Sequence, residues 1–311
     1  MRTLVTGGAG FVGANLTRHL IERGHDVVVI DDLSTGYRSN LEGVPATLHV
    51  GSILDLGLLK ELAAEADSIV HLAARGSVPR SVADPARSNE VNVTGTLNVL
   101  QAARERNVHT IVASSSSVYG ANLTLPKRED LLPQPMSPYA VSKLAAESYG
   151  VAFATTYDLP TLVFRFFNIY GPLQSARHAY AAVIPCFISA LLDGQPLQVF
   201  GDGKQSRDFT SIASVVAILA DAAERRVTYE RPVNLAFGTS TTLLELIERL
   251  EDLTGVRAAV EHRAARVGDV RASQADNAVL RSLFPQASPQ ALDAGLAGTI
   301  DWFRETNAKQ W

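Results

Sequence analysis

The feature that most constrains this chain is a strand that runs straight into a glycine-rich turn. TLVT (3–6) leads into TGGAGFVGANL, where Gly8, Gly10 and Gly13 satisfy G-x-G-x-x-G and Gly7, Gly10 and Gly13 satisfy G-x-x-G-x-x-G. Such a turn lets backbone approach a pyrophosphate, and the helix that follows offers free N–H groups and the positive end of its dipole. A second strand, VVVI (27–30), ends at Asp31. A carboxylate there accepts hydrogen bonds from a ribose diol and repels a 2′-phosphate, so the expected dinucleotide is NAD and not NADP.

Short β-branched runs recur: TLHV (47–50), SIVHLA (68–73), TIVASS (110–115), TLVFRFF (161–167) and VNLAF (233–237). Near-continuous apolar strands point to a sheet buried on both faces. Helical patterns alternate with them, ANLTRHLIERG, LGLLKELAAEA, VNVTGTLNVLQAARERN and SPYAVSKLAAESYGVAFATTY among them. The expected fold is therefore α/β, a doubly wound parallel-sheet Rossmann fold with a smaller, sequence-interleaved C-terminal substrate lobe. Past residue 167, Pro172, Pro185, Pro196 and GDGK (201–204) break the chain into shorter segments, while VNLAF reads as a return to the sheet. The expected division is a dinucleotide domain of residues 1–167 with a return segment about 208–237, and a lobe of 168–207 and 238–311.

Composition excludes several functions. A formal charge of −4 and a pI near 6.0, without a Lys/Arg-rich run, give no footprint for nucleic acid. VIPCFISALL (183–192) is too short to span a bilayer, and Met1-Arg2 enters a strand without a signal-peptide pattern. The expectation is a soluble cytoplasmic protein without membrane contact. One cysteine, Cys186, forms no internal disulfide, and the scattered histidines lack ligand spacing, so no metal is expected.

The run TIVA ends in SSSSVYG (114–120), hydroxyls where a sheet ordinarily places apolar side chains. Downstream lies YAVSK, with Tyr139 and Lys143 four apart on one helix face and Pro138 suited to its first turn. A phenol titrates near 10 and must fall by about 3 units, roughly 4 kcal/mol, to act as a base near neutrality. A neighbouring ammonium and a cationic nicotinamide push that way, and a serine at a strand end can hold a substrate oxygen and pass its proton.

With these motifs stand HLAARGSVPRSVADP (71–85), RFFNIYGPLQ (165–174), AYAAVIP (179–185), GDGKQSRDF (201–209) and RVGDVRASQAD (266–276). Over nearly its whole length the chain resembles an extended short-chain dehydrogenase/reductase, specifically the nucleotide-sugar 4-epimerases. The resemblance implies a catalytic set of Ser115, Tyr139 and Lys143, the serine lying four residues before the Tyr of YG. It implies NAD contacts at Gly7, Gly10, Phe11, Val12, Gly13, Asp31, Asp32, Ser34, Gly36, Ser52, Ile53, Leu72, Ala73, Ala74, Asn92, Ser114, Tyr139, Lys143 and Phe166. Substrate contacts are implied at Gly76, Ser77, Ser115, Ser116, Asn168, Ala182, Val183, Val199, Phe200, Arg207, Arg266, Asp269 and Ser273. Two phosphates call for guanidinium forks, which Arg207 and Arg266 would supply.

Related 4,6-dehydratases carry Asp and Glu at the positions of Ser116 and Ser117, and related decarboxylases keep the Glu. Two hydroxyls cannot replace carboxylates as general acid and base, so the chemistry should end at oxidation and re-reduction. In the family a large Tyr at the position of Ser273 blocks a 2-acetamido group, whereas serine leaves room. The implied activity is 4-epimerisation of UDP-GlcNAc/UDP-GalNAc and, more weakly, UDP-Glc/UDP-Gal. A uronic acid stays open because Arg75, Arg80 or Arg177 could receive a carboxylate, and dehydratase, decarboxylase and silent NAD-binding regulator are the rival readings. Ser52, where relatives usually place Asp, and Ser211, Ala213 and Ser214 depart from the family pattern. Helices about 88–106 and 139–157 could form a four-helix bundle in a homodimer, as in relatives.

Overall fold

The computed structural model describes residues 1–176, 181–265 and 271–308. The chain opens with strand β1 (Arg2–Thr6), helix α1 (Phe11–Glu22), β2 (Asp26–Asp31), β3 (Thr47–Val50), α2 (Leu56–Ala63) and β4 (Ser68–His71). Next come α3 (Val78–Ala83), α4 (Pro85–Asn89), a π-helical turn (Glu90–Thr94), α5 (Gly95–Arg104), β5 (His109–Ser115) and a 3₁₀ turn (Ser116–Tyr119). Helix α6 (Pro138–Tyr157) and β6 (Thr161–Phe166) complete the first half. β1 to β6 are joined by β11 (Val233–Leu235) in a parallel sheet of order β11-β6-β5-β4-β1-β2-β3. Parallel pairing with helices on both faces explains why these strands read as unbroken apolar runs. The reversal of order beside β1 opens a crevice at the carboxyl ends of the strands, where doubly wound folds bind ligands.

Between β6 and β11 run β7 (Asn168–Tyr170), α7 (Val183–Leu192), β8 (Leu197–Phe200), β9 (Ser206–Arg207), β10 (Phe209–Ser211) and α8 (Ile212–Glu224). After β11 come β12 (Thr241–Thr242), α9 (Leu243–Thr254), β13 (Val260–Arg263), β14 (Ala272–Ser273), α10 (Ala278–Leu283) and α11 (Leu292–Ala308). A separate apolar core joins Ile184, Ile188, Leu197, Leu246, Leu250, Leu296 and Ile300 from α7, β8, α9 and α11. That core is the lobe expected from the loosened sequence pattern.

Three details depart from the sequence reading. β10 pairs with β7 and not with the large sheet, so the return to the main sheet is made by α8, packed on α1, and by β11. Leu280 and Phe284 join the core around β1 and α1, so the C-terminal span also crosses back to the sheet. The helix read as starting near residue 91 begins at Pro85 and carries the π turn. Hydrophobic periodicity registers an inserted residue only as a phase slip, which hides such a turn.

Candidate active site

The glycine turn lies where β1 meets α1. Gly7 has φ +72°, and a Cβ there would press on the Ala73 backbone at the end of β4, 2.7 Å from its nitrogen. A Cβ on Gly13 would strike the Gly7 carbonyl oxygen, so only glycine lets α1 sit this close to the strand. Asp31, 7% exposed, accepts hydrogen bonds from the backbone N–H of Ala9 at 2.9 Å and of Leu33 at 2.8 Å. Burial raises its pKa, and the two backbone donors oppose that rise by favouring the ionised form. The carboxylate therefore braces the loop after β2 against the glycine turn. Asp32 accepts from the Ser34 hydroxyl at 2.5 Å, and a Cβ on Gly36 would crowd both Ala9 and Asp31.

A cleft of about 860 Å³ opens over this turn. Of the residues expected at the cofactor, Gly7, Gly10, Phe11, Val12, Gly13, Asp31, Asp32, Ser34, Ile53, Leu72, Ala73 and Ala74 line it. Gly76, Ser77 and Ala182, expected at the substrate, line it as well. The close glycine packing and the carboxylate closing β2 suit the pyrophosphate and the ribose of a dinucleotide, so the residues present fit NAD.

Other expected residues are placed differently. Ser52 accepts the Leu54 N–H at 3.2 Å in a local turn, Gly51 and Ile53 taking the lining beside it. Ser114 turns its hydroxyl from the cleft to Glu147, 2.8 Å away. Asn92, centred in the π turn, is buried, accepts Arg75 N–H at 2.7 Å and donates to the Ser142 hydroxyl at 2.9 Å. Phe166 packs against the sheet core. Val199 is 0% exposed in the lobe core and so presents no surface to a ligand, whereas Phe200 beside it is half-buried. Asn168 opens β7 and donates to the Asp208 carbonyl at 3.4 Å, and Val183 starts α7. Arg207 on β9 pairs in register with Ser273 on β14, which brings the expected phosphate and sugar residues together. Arg266, Asp269 and Arg177 lie outside the described residues.

Sequence reasoning missed several lining residues, Tyr37 and Asn40, Arg87, and Gln174 and Ser175, whereas Arg75 and Arg80, named there as receptors for a carboxylate, do line the cleft. Tyr37 N–H and the Asn40 side chain both donate to Ala9 O, at 3.1 and 2.9 Å. They come from a four-residue 3₁₀ turn and the residue before it, too short a stretch for any periodic signal. Arg75 forms an ion pair with Asp84 at 2.8 Å.

Ser115 and Tyr139 are brought side by side, with Lys143 one turn further along α6, and none of the three is among the residues lining the cleft. Ser115 ends β5, Ser137 caps α6 by accepting Ala140 N–H at 3.1 Å, and Pro138 occupies the first turn. Tyr139 N–H donates to the Ser81 hydroxyl at 2.9 Å, tying the start of α6 to α3, whose Arg80 lines the cleft. The Ser115 hydroxyl lies close enough to the Tyr139 phenol to favour its ionised form. Lys143 Nζ donates to the Ala113 carbonyl at 2.7 Å, and burial pushes its pKa down to about 8.

Beneath it His71 bridges the Thr6 hydroxyl at 2.7 Å and the Thr96 hydroxyl at 2.9 Å. Burial first, and the Lys143 charge second, push the imidazole to about 3, so it is neutral. The phenol differs from the sequence expectation. Burial raises Tyr139 above its ordinary value and the Ser115 side chain opposes that rise, while Lys143 Nζ is turned to the Ala113 carbonyl.

Residues 3–236 match the NAD dependent epimerase/dehydratase family. A UDP-glucose 4-epimerase of Mycolicibacterium smegmatis is 38% identical over 313 residues, covering 98% of this chain and 99% of that protein. The solved UDP-N-acetylglucosamine 4-epimerase of Methanobrevibacter ruminantium, in complex with UDP-N-acetylmuramic acid, superposes with TM-score 0.93 at 35% identity, covering 98% of each chain. The UDP-glucose 4-epimerase of Thermus thermophilus, in complex with NAD, gives TM-score 0.88 at 32% identity, over 98% of this chain and 99% of that one. Because the match runs from the first strand of the large sheet to the last, and the cleft between them fits the dinucleotide, this chain belongs to the NAD-dependent epimerase/dehydratase family and takes NAD as its cofactor.

Proposed function

We propose that the protein is a 4-epimerase of a UDP-hexose, acting foremost on UDP-GlcNAc/UDP-GalNAc and also on UDP-Glc/UDP-Gal. The observation that carries this reading is the Ser115 side chain set beside the Tyr139 phenol at the end of β5, followed by Ser116 and Ser117 where elimination would need carboxylates. The sheet domain holds the cofactor and the lobe holds the nucleotide sugar. Tyr139, as phenolate, takes the proton of the sugar 4-hydroxyl, with Ser115 holding that oxygen and relaying the proton. When bound, NAD would supply the acceptor and later the donor of the C4 hydride, and its oxidised ring would favour the phenolate. Arg207 clamps the diphosphate while the keto sugar turns its other face, and Tyr139 gives back the proton. Ser273, half-buried beside Arg207, leaves room for an acetamido group.

Two copies associate through α5 and α6. On α6, Val141 and Tyr149 are exposed on the side away from the sheet, which suits an apolar helix pairing.

The test is to incubate purified protein separately with UDP-GlcNAc, UDP-Glc and UDP-GlcA and to resolve the products by NMR. Inversion at C4 without mass change, strongest for UDP-GlcNAc, is expected. Loss of water or carbon dioxide, or no turnover of any of the three, overturns the reading.

A further inference from the structure

Tyr139, Lys143 and Glu147 recur every four residues on α6, so one stripe of the helix carries all three. Glu147 and Arg165 are almost wholly enclosed, their side chains 5% and 3% exposed. They form a two-pronged pair: Arg165 Nη2 donates to Oε1 at 2.6 Å and Nε to Oε2 at 3.0 Å. The Ser114 hydroxyl donates to the same Oε2 at 2.8 Å and lies 3.4 Å from the Lys143 carbonyl oxygen. Ser114 and Arg165 are register partners on β5 and β6, and Ser114 immediately precedes Ser115. One carboxylate on α6 thus grips two neighbouring strands at the point where the catalytic serine leaves the sheet.

The far side of the guanidinium is fixed as well. Arg165 Nη1 donates to the Glu129 carbonyl at 3.3 Å, and the guanidinium carbon lies 4.7 Å from the Tyr119 ring centre. Tyr119 in turn donates to Asn234 Oδ1 at 2.7 Å, anchoring the 3₁₀ turn after Ser115 to β11. Among the described residues, the charged and titratable groups shown facing the pair are Tyr119 on the 3₁₀ turn and Glu129 on the loop before α6. Neither Glu147 nor Arg165 lines the cleft.

We infer that Glu147 and Arg165 are positioning residues, which hold α6 over the end of β5 so that the Tyr139 hydroxyl meets Ser115. A buried ion pair is weak evidence of stabilisation, because apolar residues of similar volume often replace both partners at no cost, whereas removing one partner strands a charge. The pair can therefore be tested for position separately from stability.

The experiment compares the full-length NAD-loaded protein with the double variant Glu147→Leu/Arg165→Met. The double variant should melt cooperatively close to the parent and bind NAD comparably. Its turnover of the UDP-sugar should fall by about tenfold to a hundredfold with little change in KM, the scale on which a misplacement of about 1 Å acts. The Tyr139 phenol, read as the absorbance difference between each protein and its Tyr139→Phe counterpart, should titrate higher once Ser115 no longer meets it. Parental turnover and an unshifted phenol in a well-folded double variant would overturn the inference. Should that variant fail to melt cooperatively, Arg165→Lys keeps the charge and loses the fork: reduced turnover and a raised phenol support the role, and parental values of both reject it. The turnover arm rests on the epimerase reading. The phenol arm does not, so a parent protein inert toward every sugar would sink that reading while the titration still decides the role of the pair.

Discussion

At the scale of the residue, the proposed mechanism makes the Tyr139 phenol the group on which turnover depends. Tyr139→Phe removes the proton carrier and leaves the ring, so turnover of the UDP-sugar should drop by about 10²- to 10⁴-fold with NAD affinity nearly unchanged, read by steady-state kinetics and calorimetry. Asp31→Asn keeps the shape and loses the charge that two backbone N–H groups already stabilise. Hydrogen bonds to a charged group contribute about 1.5–3 kcal/mol, so the NAD dissociation constant should rise by about 10- to 100-fold, and discrimination against NADP should relax. Ser273→Tyr should depress turnover of the acetamido sugar before that of the plain sugar, and equal loss of both, measured by competition, would reject the gate. Motif spacing named Tyr139 and a strand end named Asp31, whereas Ser273 came only from the family resemblance. Ser114 and Val199 were not legible: whether a side chain at a strand end faces the cleft or the core is set by the pleat and by partners such as Glu147, which sequence does not place.

At the scale of the element, the sheet's long apolar strands and α1 could be read from pattern, whereas the short pieces between them could not. The π turn joins α4 to α5 around Asn92, and the 3₁₀ segment that brings Asn40 to the cleft is only four residues long. Both owe their geometry to tertiary hydrogen bonds, to Arg75 and Ser142 in one case and to Ala9 in the other. β4 carries a testable liability of its own. His71 is held neutral between Thr6 and Thr96, with its pKa near 3 against an ordinary value of 6.5. Between those two values the unfolded chain binds a proton that the native imidazole refuses, so stability falls as pH drops, by about 1.4 kcal/mol per unit inside that window. Above 6.5 both states are neutral there and His71 contributes no slope. His109, also lowered by burial, adds in the same direction. His71→Gln should therefore flatten the fall of the urea midpoint between about pH 6.5 and 4 relative to the parent, and an unchanged slope would count against the assignment.

At the scale of the whole molecule, the doubly wound sheet followed from alternation of strand and helix, and its crevice from the first turn. The path of the chain between sheet and lobe was harder to read, because α10 is only six residues long and its attachment depends on Leu280 and Phe284 reaching the far core. Assembly is open to direct measurement. Light scattering should give a dimer mass, and Val141→Glu with Tyr149→Glu should give a monomer with unchanged circular dichroism, since both side chains lie exposed on α6. The crossing of α8, β11 and α10 back to the sheet has a wider consequence. No single cut or graft can exchange one half of this molecule for a foreign counterpart, since each half is threaded through the other. With the substrate contacts proposed at Arg207 and Ser273, new sugar preferences in such a scaffold would arise by point changes on β9 and β14, with the dinucleotide machinery inherited whole.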